Sequence, residues 1–398
     1  MFAVVGGILM VFWLSGTALA FHDGGVAHCD GCHSMHNSIN GMPDEDVAGG
    51  TVGEGINANL TKGSDPSSTC LNCHQGNGSY HIASADPTLV NYTMGGDFIW
   101  LQSDYSWTRH NEPGDNFGHN IIAADFGYTE DGTMLSMTSP GGDYPKSALG
   151  CTSCHDPHGK VDGGGTGPRA GSGSYGDPDP GDGSVLGNYR LLGDSSYVAS
   201  RVYNQPATAS PYNFVNDAPI AVARNMSGGH YSYRVAYGSG MSEWCGNCHG
   251  AFVADGAIAH KHPASNDAHL LPQFVNTYTL YVSTGDMGGT RPYDPMVPFE
   301  RGITDRTQLD PDNPGPPNGS SNVMCLTCHR AHASGFTNMT KWDMNTELLA
   351  ESNPTTGDPG YNFADAHAGY YVDGASFDPS IRYNPEQRSL CNKCHLQD

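Results

Sequence analysis

Only one stretch of the chain is uniformly apolar. Residues 1–20, MFAVVGGILMVFWLSGTALA, carry no charge and end in Ala18-Leu19-Ala20. An apolar run closed by small residues is the pattern of a secretory leader, here cleaved to leave Phe21 as the first mature residue. A basic n-region is missing, which suggests a start codon further upstream; the run is short for a membrane span of ~20 apolar residues, and an uncleaved anchor is the runner-up. No cysteine follows closely enough for a lipoprotein anchor. Beyond residue 20 the aliphatic runs expected of helices or strands are scarce. Aromatic and β-branched residues alternate with others in TYTLYV, 277–282, which predicts a few residues of β-structure. Residues 159–186 and 310–321 are rich in glycine and proline and predict two flexible, exposed loops. The pattern therefore predicts a mostly irregular fold with short helices and very little strand. Neither loop flanks a segment able to fold by itself, so residues 21–398 read as a single domain.

Composition sharpens this picture. Glycine (53) and proline (26) make up about a fifth of the 398 residues, against an ordinary share of ~12%. A conventional core is hard to build from so few aliphatic residues. The net charge of −23 excludes a nucleic-acid binder, which needs clustered lysine and arginine. It serves solubility or the choice of partner.

The cysteines supply the missing core. All twelve fall in six C-x-x-C-H units: Cys29-Cys32-His33, Cys70-Cys73-His74, Cys151-Cys154-His155, Cys245-Cys248-His249, Cys325-Cys328-His329 and Cys391-Cys394-His395. This is the attachment signature of c-type haem. The two thiols add to the porphyrin vinyl groups, and the histidine that follows supplies the proximal imidazole. Disulfides, zinc sites and redox dithiols also use paired cysteines, but none of them accounts for a histidine after every pair. Six covalent haems offer the flat apolar surfaces on which side chains and loops can pack, so the haem stack is the expected core. Short helical turns are expected to carry the motifs. Covalent haem is attached outside the cytoplasm, which agrees with a leader.

Nineteen histidines are present, and six are the proximal ligands. Thirteen remain for six distal positions, so every iron can be closed by two imidazoles. Methionine, with fourteen copies, is the other common distal ligand. Three motifs extend to C-x-x-C-H-x-x-H, giving His33/His36, His155/His158 and His329/His332. Histidines three apart lie on one side of a helical turn and cannot reach both faces of one porphyrin. If the second of each pair is a ligand, it serves a different haem and draws two irons close together. No internal repeat stands out beyond the motifs themselves.

At this point the chain resembles a known family. FHDGGVAHCDGCHSMHNS, CLNCHQ, SYHI, GGDFIW, GHNI, CTSCHDPHGK, RVAYGSGMSEWCGNCH, CLTCHRAHASGF and CNKCH are similar, in the same order, to segments of the OmcS-type hexahaem cytochromes. The resemblance runs from Phe21 to the last residues and is weakest at 159–186 and 330–390. It implies a secreted protein that polymerises into extracellular filaments, or nanowires, with a continuous chain of bis-histidine haems. Such filaments carry respiratory electrons to outside acceptors. It also implies the distal ligands His36, His81, His119, His158, His262 and His332, with His36 closing the iron of the Cys325-Cys328-His329 motif in the adjacent protomer. His260, two residues from His262, is an alternative that spacing leaves open, and His367 has no counterpart.

The function expected is electron transfer rather than catalysis. Implied partners are other copies of the chain, other electron-transfer cytochromes, and extracellular acceptors such as metal oxides or partner cells. A monomeric periplasmic shuttle is the alternative. A multihaem reductase is the further one, but it needs an iron with an open distal face, and its usual sign, a motif with the histidine replaced, is absent from all six.

Overall fold

The computed structural model describes residues 29–33, 38–39, 42–43, 61–76, 82–84, 95–102, 104–106, 111–157, 188–195, 197–199, 212–223, 235–254, 262–280, 293–294, 296–311, 313–348 and 390–395. Residues 1–20, expected to be a leader, and residues 159–186, expected to be a loop, lie outside them. Among the described residues the backbone is mostly irregular, as the sequence predicts. Helices are α1 (Cys29–Cys32), α2 (Pro66–His74), α3 (Met241–Val253), α4 (Pro272–Leu280) and α5 (Cys325–Cys328). The strands form four separate antiparallel pairs: β1 (Ser38–Ile39) with β2 (Met42–Pro43), β3 (Tyr105–Ser106) with β4 (Asn111–Glu112), β5 (Val198–Ala199) with β6 (Tyr212–Asn213), and β7 (Ile220–Ala223) with β8 (Val235–Ser239). No described helix is long and apolar enough to cross a membrane.

Each helix starts for a local reason. Asp65 caps α2 by accepting from the Ser68 N–H at 2.8 Å, and Pro66 takes the first helical position, where no N–H is needed. In α3 the cap comes from far along the chain: Glu300 Oε1 accepts from the Met241 N–H at 2.6 Å. All six C-x-x-C-H motifs sit on helical turns. Those of Cys29, Cys70, Cys245 and Cys325 lie on α1, α2, α3 and α5, and the other two lie on 3-10 turns, Cys151–Ser153 and Leu390–Lys393.

The alternating stretch 277–282 is not a strand. Thr277 to Leu280 close α4, and 281–282 lie outside the described residues. Phe274 and Tyr278, four apart, share one face of that helix, and both meet the last motif. The Phe274 ring lies 5.0 Å from the His395 ring, and Lys393 Nζ sits 4.4 Å over the Tyr278 ring. A short alternation fits either element, and packing against the motif decides it. The described residues of 310–321 are irregular as expected, but they are pinned: the Arg301 guanidinium donates to the carbonyls of Pro314 and Pro316.

The interior is aromatic. Phe98, Trp100, Phe117, Tyr278, Phe299, Phe336 and Trp342 lie in one buried cluster, and Cys151, Cys328, Cys391 and Cys394 pack against it. Edge-to-face pairs order the rings, with Tyr278 and Phe299 at 5.2 Å and 87°.

Two constraints hold the motif-bearing pieces. The first is a three-ply clamp of the segments 95–97, 117–119 and 332–334. His332 N–H donates to Gly95 O (2.7 Å), Asp97 N–H to Ala333 O (3.1 Å), His119 N–H to His332 O (2.9 Å) and Ser334 N–H to Phe117 O (2.9 Å). Gly96 is left-handed at φ +90°, and a side chain on it or on Gly118 would collide with the backbone of 332–333. The second constraint docks motifs in pairs. Ser67, three residues before Cys70, accepts the Cys151 N–H at 3.0 Å. Ser242, three residues before Cys245, accepts the Cys325 N–H at 3.1 Å. Both serines are buried.

Removing either hydroxyl leaves a part-buried N–H unsatisfied, which costs at most ~1–3 kcal/mol. Ser67→Ala and Ser242→Ala are expected to lower stability by similar amounts, read from urea midpoints in near-UV circular dichroism. Gly96→Ala is expected to be at least as damaging, since backbone strain of ~1–3 kcal/mol adds to the collision. Gly319→Ala, which meets open space, should stay within about 0.5 kcal/mol of the parent.

Candidate haem sites

Within each motif the helical turn sets the geometry. Cysteines three apart lie on one side of the turn. The third, fifth and sixth motifs close with the histidine N–H on the first cysteine's carbonyl, at 2.9, 3.0 and 2.9 Å for His155, His329 and His395. The histidine then leaves helical geometry, at φ −123° for His249 and φ −106° for His329. None of the eleven cysteines with described side chains forms a disulfide. Burial pushes the thiols of Cys154 and Cys394 up to about 12 and that of Cys328 up to about 11. In apolar surroundings of this kind the neutral sulfur is favoured.

Three pairs of imidazoles face one another. The rings of His119 and His249 are 6.0 Å apart, those of His155 and His332 are 6.3 Å, and those of His262 and His395 are 6.1 Å. Two metal–nitrogen bonds of ~2 Å each, with half a ring on either side, fill such a gap. Each pair joins a motif histidine to one of the thirteen others. His332 thus lies against His155 of the third motif, not against His329 of its own.

The protonation of these rings suits ligation. Nδ1 contacts a backbone carbonyl in His119 (Ala331 O, 2.8 Å), His155 (Arg190 O, 2.9 Å), His249 (Pro140 O, 2.7 Å), His262 (Pro263 O, 3.0 Å) and His329 (Asn338 O, 2.9 Å). A carbonyl can only accept, so Nδ1 carries the hydrogen and the neutral ring keeps its lone pair on Nε2. Burial pushes His119 down to about 4 and His332 down to about 3, and it lowers His249 and His329. The residues present therefore fit iron held between two imidazoles beside a pair of thiols.

Of the other histidines expected at iron, His33, His74 and His329 stand in their motifs, while His36, His81 and His158 lie outside the described residues. So does His260, the alternative to His262.

The structure also contains a repeat that the sequence does not advertise. Behind the third and fifth motifs the chain makes two consecutive left-handed residues, Arg190-Leu191 (φ 48° and 56°) and Asn338-Met339 (φ 60° and 56°). Each pair aims its first carbonyl at the proximal Nδ1 and its second at the next backbone N–H: Asp156 N–H on Leu191 O (2.7 Å) and Arg330 N–H on Met339 O (2.8 Å). The second cysteine's carbonyl is then closed by Gly193 N–H and by Lys341 N–H, both at 2.9 Å. The first motif has the same closure, Lys62 N–H on Cys32 O at 2.9 Å. The sequence trace is four residues long, Asn59-Leu60-Thr61-Lys62 against Asn338-Met339-Thr340-Lys341. Asparagine tolerates the left-handed region best among residues with a side chain.

No family model matches the chain. It is 40% identical over 428 aligned positions to the c-type cytochrome OmcS of Geobacter sulfurreducens, covering 96% of this chain and 95% of that protein. The cryo-EM structure of the OmcS nanowires from the same organism superposes with a TM-score of 0.76 at 36% identity, over 95% of this chain and all of that one. A second structure, the outer membrane cytochrome S filament of G. sulfurreducens, gives 0.74 at 37% over the same shares. Relatedness of this extent, over nearly the full length of both chains, places the protein in the OmcS family of c-type cytochromes.

Proposed function

We propose that this chain is an exported hexahaem cytochrome that assembles head-to-tail into an extracellular filament and conducts electrons along it to outside acceptors. On this reading residues 1–20 are the leader that directs Sec export, and 21–398 form one haem-bearing unit. Haem c supplies the reversible one-electron couple, and the chain supplies position. Cys29/Cys32, Cys70/Cys73, Cys151/Cys154, Cys245/Cys248, Cys325/Cys328 and Cys391/Cys394 anchor the six groups. His33, His74, His155, His249, His329 and His395 are proximal; His36, His81, His119, His158, His262 and His332 are distal.

The observation that carries this reading is the facing of imidazoles from different motifs. His332 follows the fifth motif yet faces the histidine of the third. A ligand of that kind ties two neighbouring sites through three residues of chain, which keeps successive sites close. The cysteines add to this: Cys70 lies beside Cys151, and Cys245 beside Cys325. Both axial positions filled by imidazole leave no place for a substrate, which favours conduction over catalysis.

Docking in pairs supports the polymer. The second motif docks on the third and the fourth on the fifth, while the first and sixth stand near opposite ends of the chain. Only odd-numbered motifs carry the added histidine of C-x-x-C-H-x-x-H. The sixth motif of one copy and the first of the next then form a third pair, docked differently, since Arg388 stands where the second and fourth motifs have Ser67 and Ser242. A contact of this kind is heterologous and grows an open filament when its rotation does not close. The OmcS structures, which are filaments by name, point the same way.

Two experiments test the proposal. The purified protein should show six low-spin haems per chain by electron paramagnetic resonance and magnetic circular dichroism. A stoichiometric high-spin signal, or carbon monoxide binding at one haem per chain, would replace it with a reductase. His36→Ala is expected to retain six attached haems, to leave one per protomer five-coordinate or weakly ligated, and to give short filaments or none in negative stain. Full-length filaments with unchanged low-spin spectra would show that His36 does not bridge protomers.

A further inference from the structure

One charged group of the repeat has no task in the reading so far. Lys341 closes the fifth motif through its backbone, but its side chain turns inward and is 1% exposed. Its Nζ, an ammonium with three hydrogens to donate, has no hydrogen-bond partner in the protein. The charged and titratable groups around it are Arg330, Asp294, the Cys328 thiol and His329. Asp294 does not answer it directly, because Asp294 Oδ2 is itself buried without a partner, while Oδ1 accepts from the Met296 N–H at 3.0 Å. Arg330, 5% exposed, adds a second positive charge, so the pocket holds two cations and one carboxylate.

An isolated ammonium in the interior is unfavourable by far more than one hydrogen bond can recover. Burial lowers the affinity of Lys341 for its proton, as does Arg330. A methionine or leucine would fill the same space without that penalty. The position also recurs: Lys62 occupies the corresponding place behind the first motif, and the chain has only six lysines in all. A lysine kept twice at one point of a repeat, once fully buried and unanswered, implies an anion delivered by what the repeat holds. Each haem c brings two propionate carboxylates into a chain whose net charge is already −23.

We infer that Lys341 Nζ binds a haem propionate, forming a charge-assisted pair that neutralises the carboxylate inside the protein and raises the reduction potential of that haem. The inference rests on the haem reading above. A buried propionate without a countercharge favours the ferric iron, so removing the lysine lowers the potential. The Lys62 position would serve another haem in the same way.

The test uses the haem-loaded protein. Attached haems are counted by intact mass, and each step of a spectroelectrochemical titration is followed in the parent, Lys341→Met, Lys341→Gln, Lys341→Arg and Asp294→Asn. In Lys341→Met and Lys341→Gln one haem of six should move to lower potential, by about tenfold in its reduction equilibrium, which is ~59 mV for a one-electron couple. All six should stay attached and low-spin. Lys341→Arg should keep the parent value. Asp294→Asn should shift that haem by much less. If Lys341→Met does not fold, the polar and similarly long glutamine variant carries the measurement. Six attached haems with unmoved potentials in either variant overturn the inference, as does Asp294→Asn raising the same haem's potential by a similar amount, since the countercharge of Lys341 is then Asp294. A parent protein without six attached haems refutes the haem reading instead.

Discussion

Imidazoles held in pairs with their rings about 6 Å apart set the terms on which the rest of this protein folds. A ring that is to meet iron through Nε2 needs its Nδ1–H satisfied elsewhere, and a backbone carbonyl does this at His119, His155 and His249. A carbonyl is free for that purpose only where it is not committed to a helix or a sheet. Irregular backbone is therefore a requirement of such a site, where loops supply the carbonyls that orient the rings. This explains how a chain with two-residue strands and four-residue helices can still hold specific geometry. Its order comes from side chains and carbonyls aimed at one another across long sequence separations.

The protein part of the core follows the same logic. Aromatic rings, which are flat and pack edge to face, fill the space between cysteines that aliphatic side chains would fill elsewhere. Phe98 stacks on the His332 ring at 4.7 Å, so one aromatic packs the core and orients a candidate ligand at once. Glycine has an equally specific role in the clamp. At Gly96 and Gly118 the segment bearing His332 approaches the segments on either side more closely than any side chain permits. Part of the high glycine content is thus a record of how tightly backbone packs on backbone around the sites.

Much of this was legible in the sequence, and the rest was not for definite reasons. The C-x-x-C-H units declare themselves because the chemistry of attachment demands contiguous residues. The irregular fold was legible because the lack of aliphatic runs leaves little else. The pairings of His119 with His249, and of His262 with His395, join residues far apart, so no local pattern encodes them. Ser67 and Ser242 act through a single hydroxyl and look like any serine before a helix. The left-handed turns at Arg190-Leu191 and Asn338-Met339 repeat in conformation far more than in sequence, since what they present is a carbonyl that every residue possesses. The alternation at 277–282 misled because Phe274, just outside the window, is what reveals the helical face with Tyr278. The loop at 310–321 looked free because Arg301, which pins it, precedes it by several residues.

The docking of the second motif on the third, and of the fourth on the fifth, also bears on how such a chain can change in length. A single added motif would bring a cysteine-bearing turn whose serine or first-cysteine amide has no counterpart, and a new buried polar group would go unanswered. Two added together answer each other. Proteins assembled on this plan should gain and lose their sites by twos, and a tandem duplication should be tolerated only when its breakpoints fall between docked pairs.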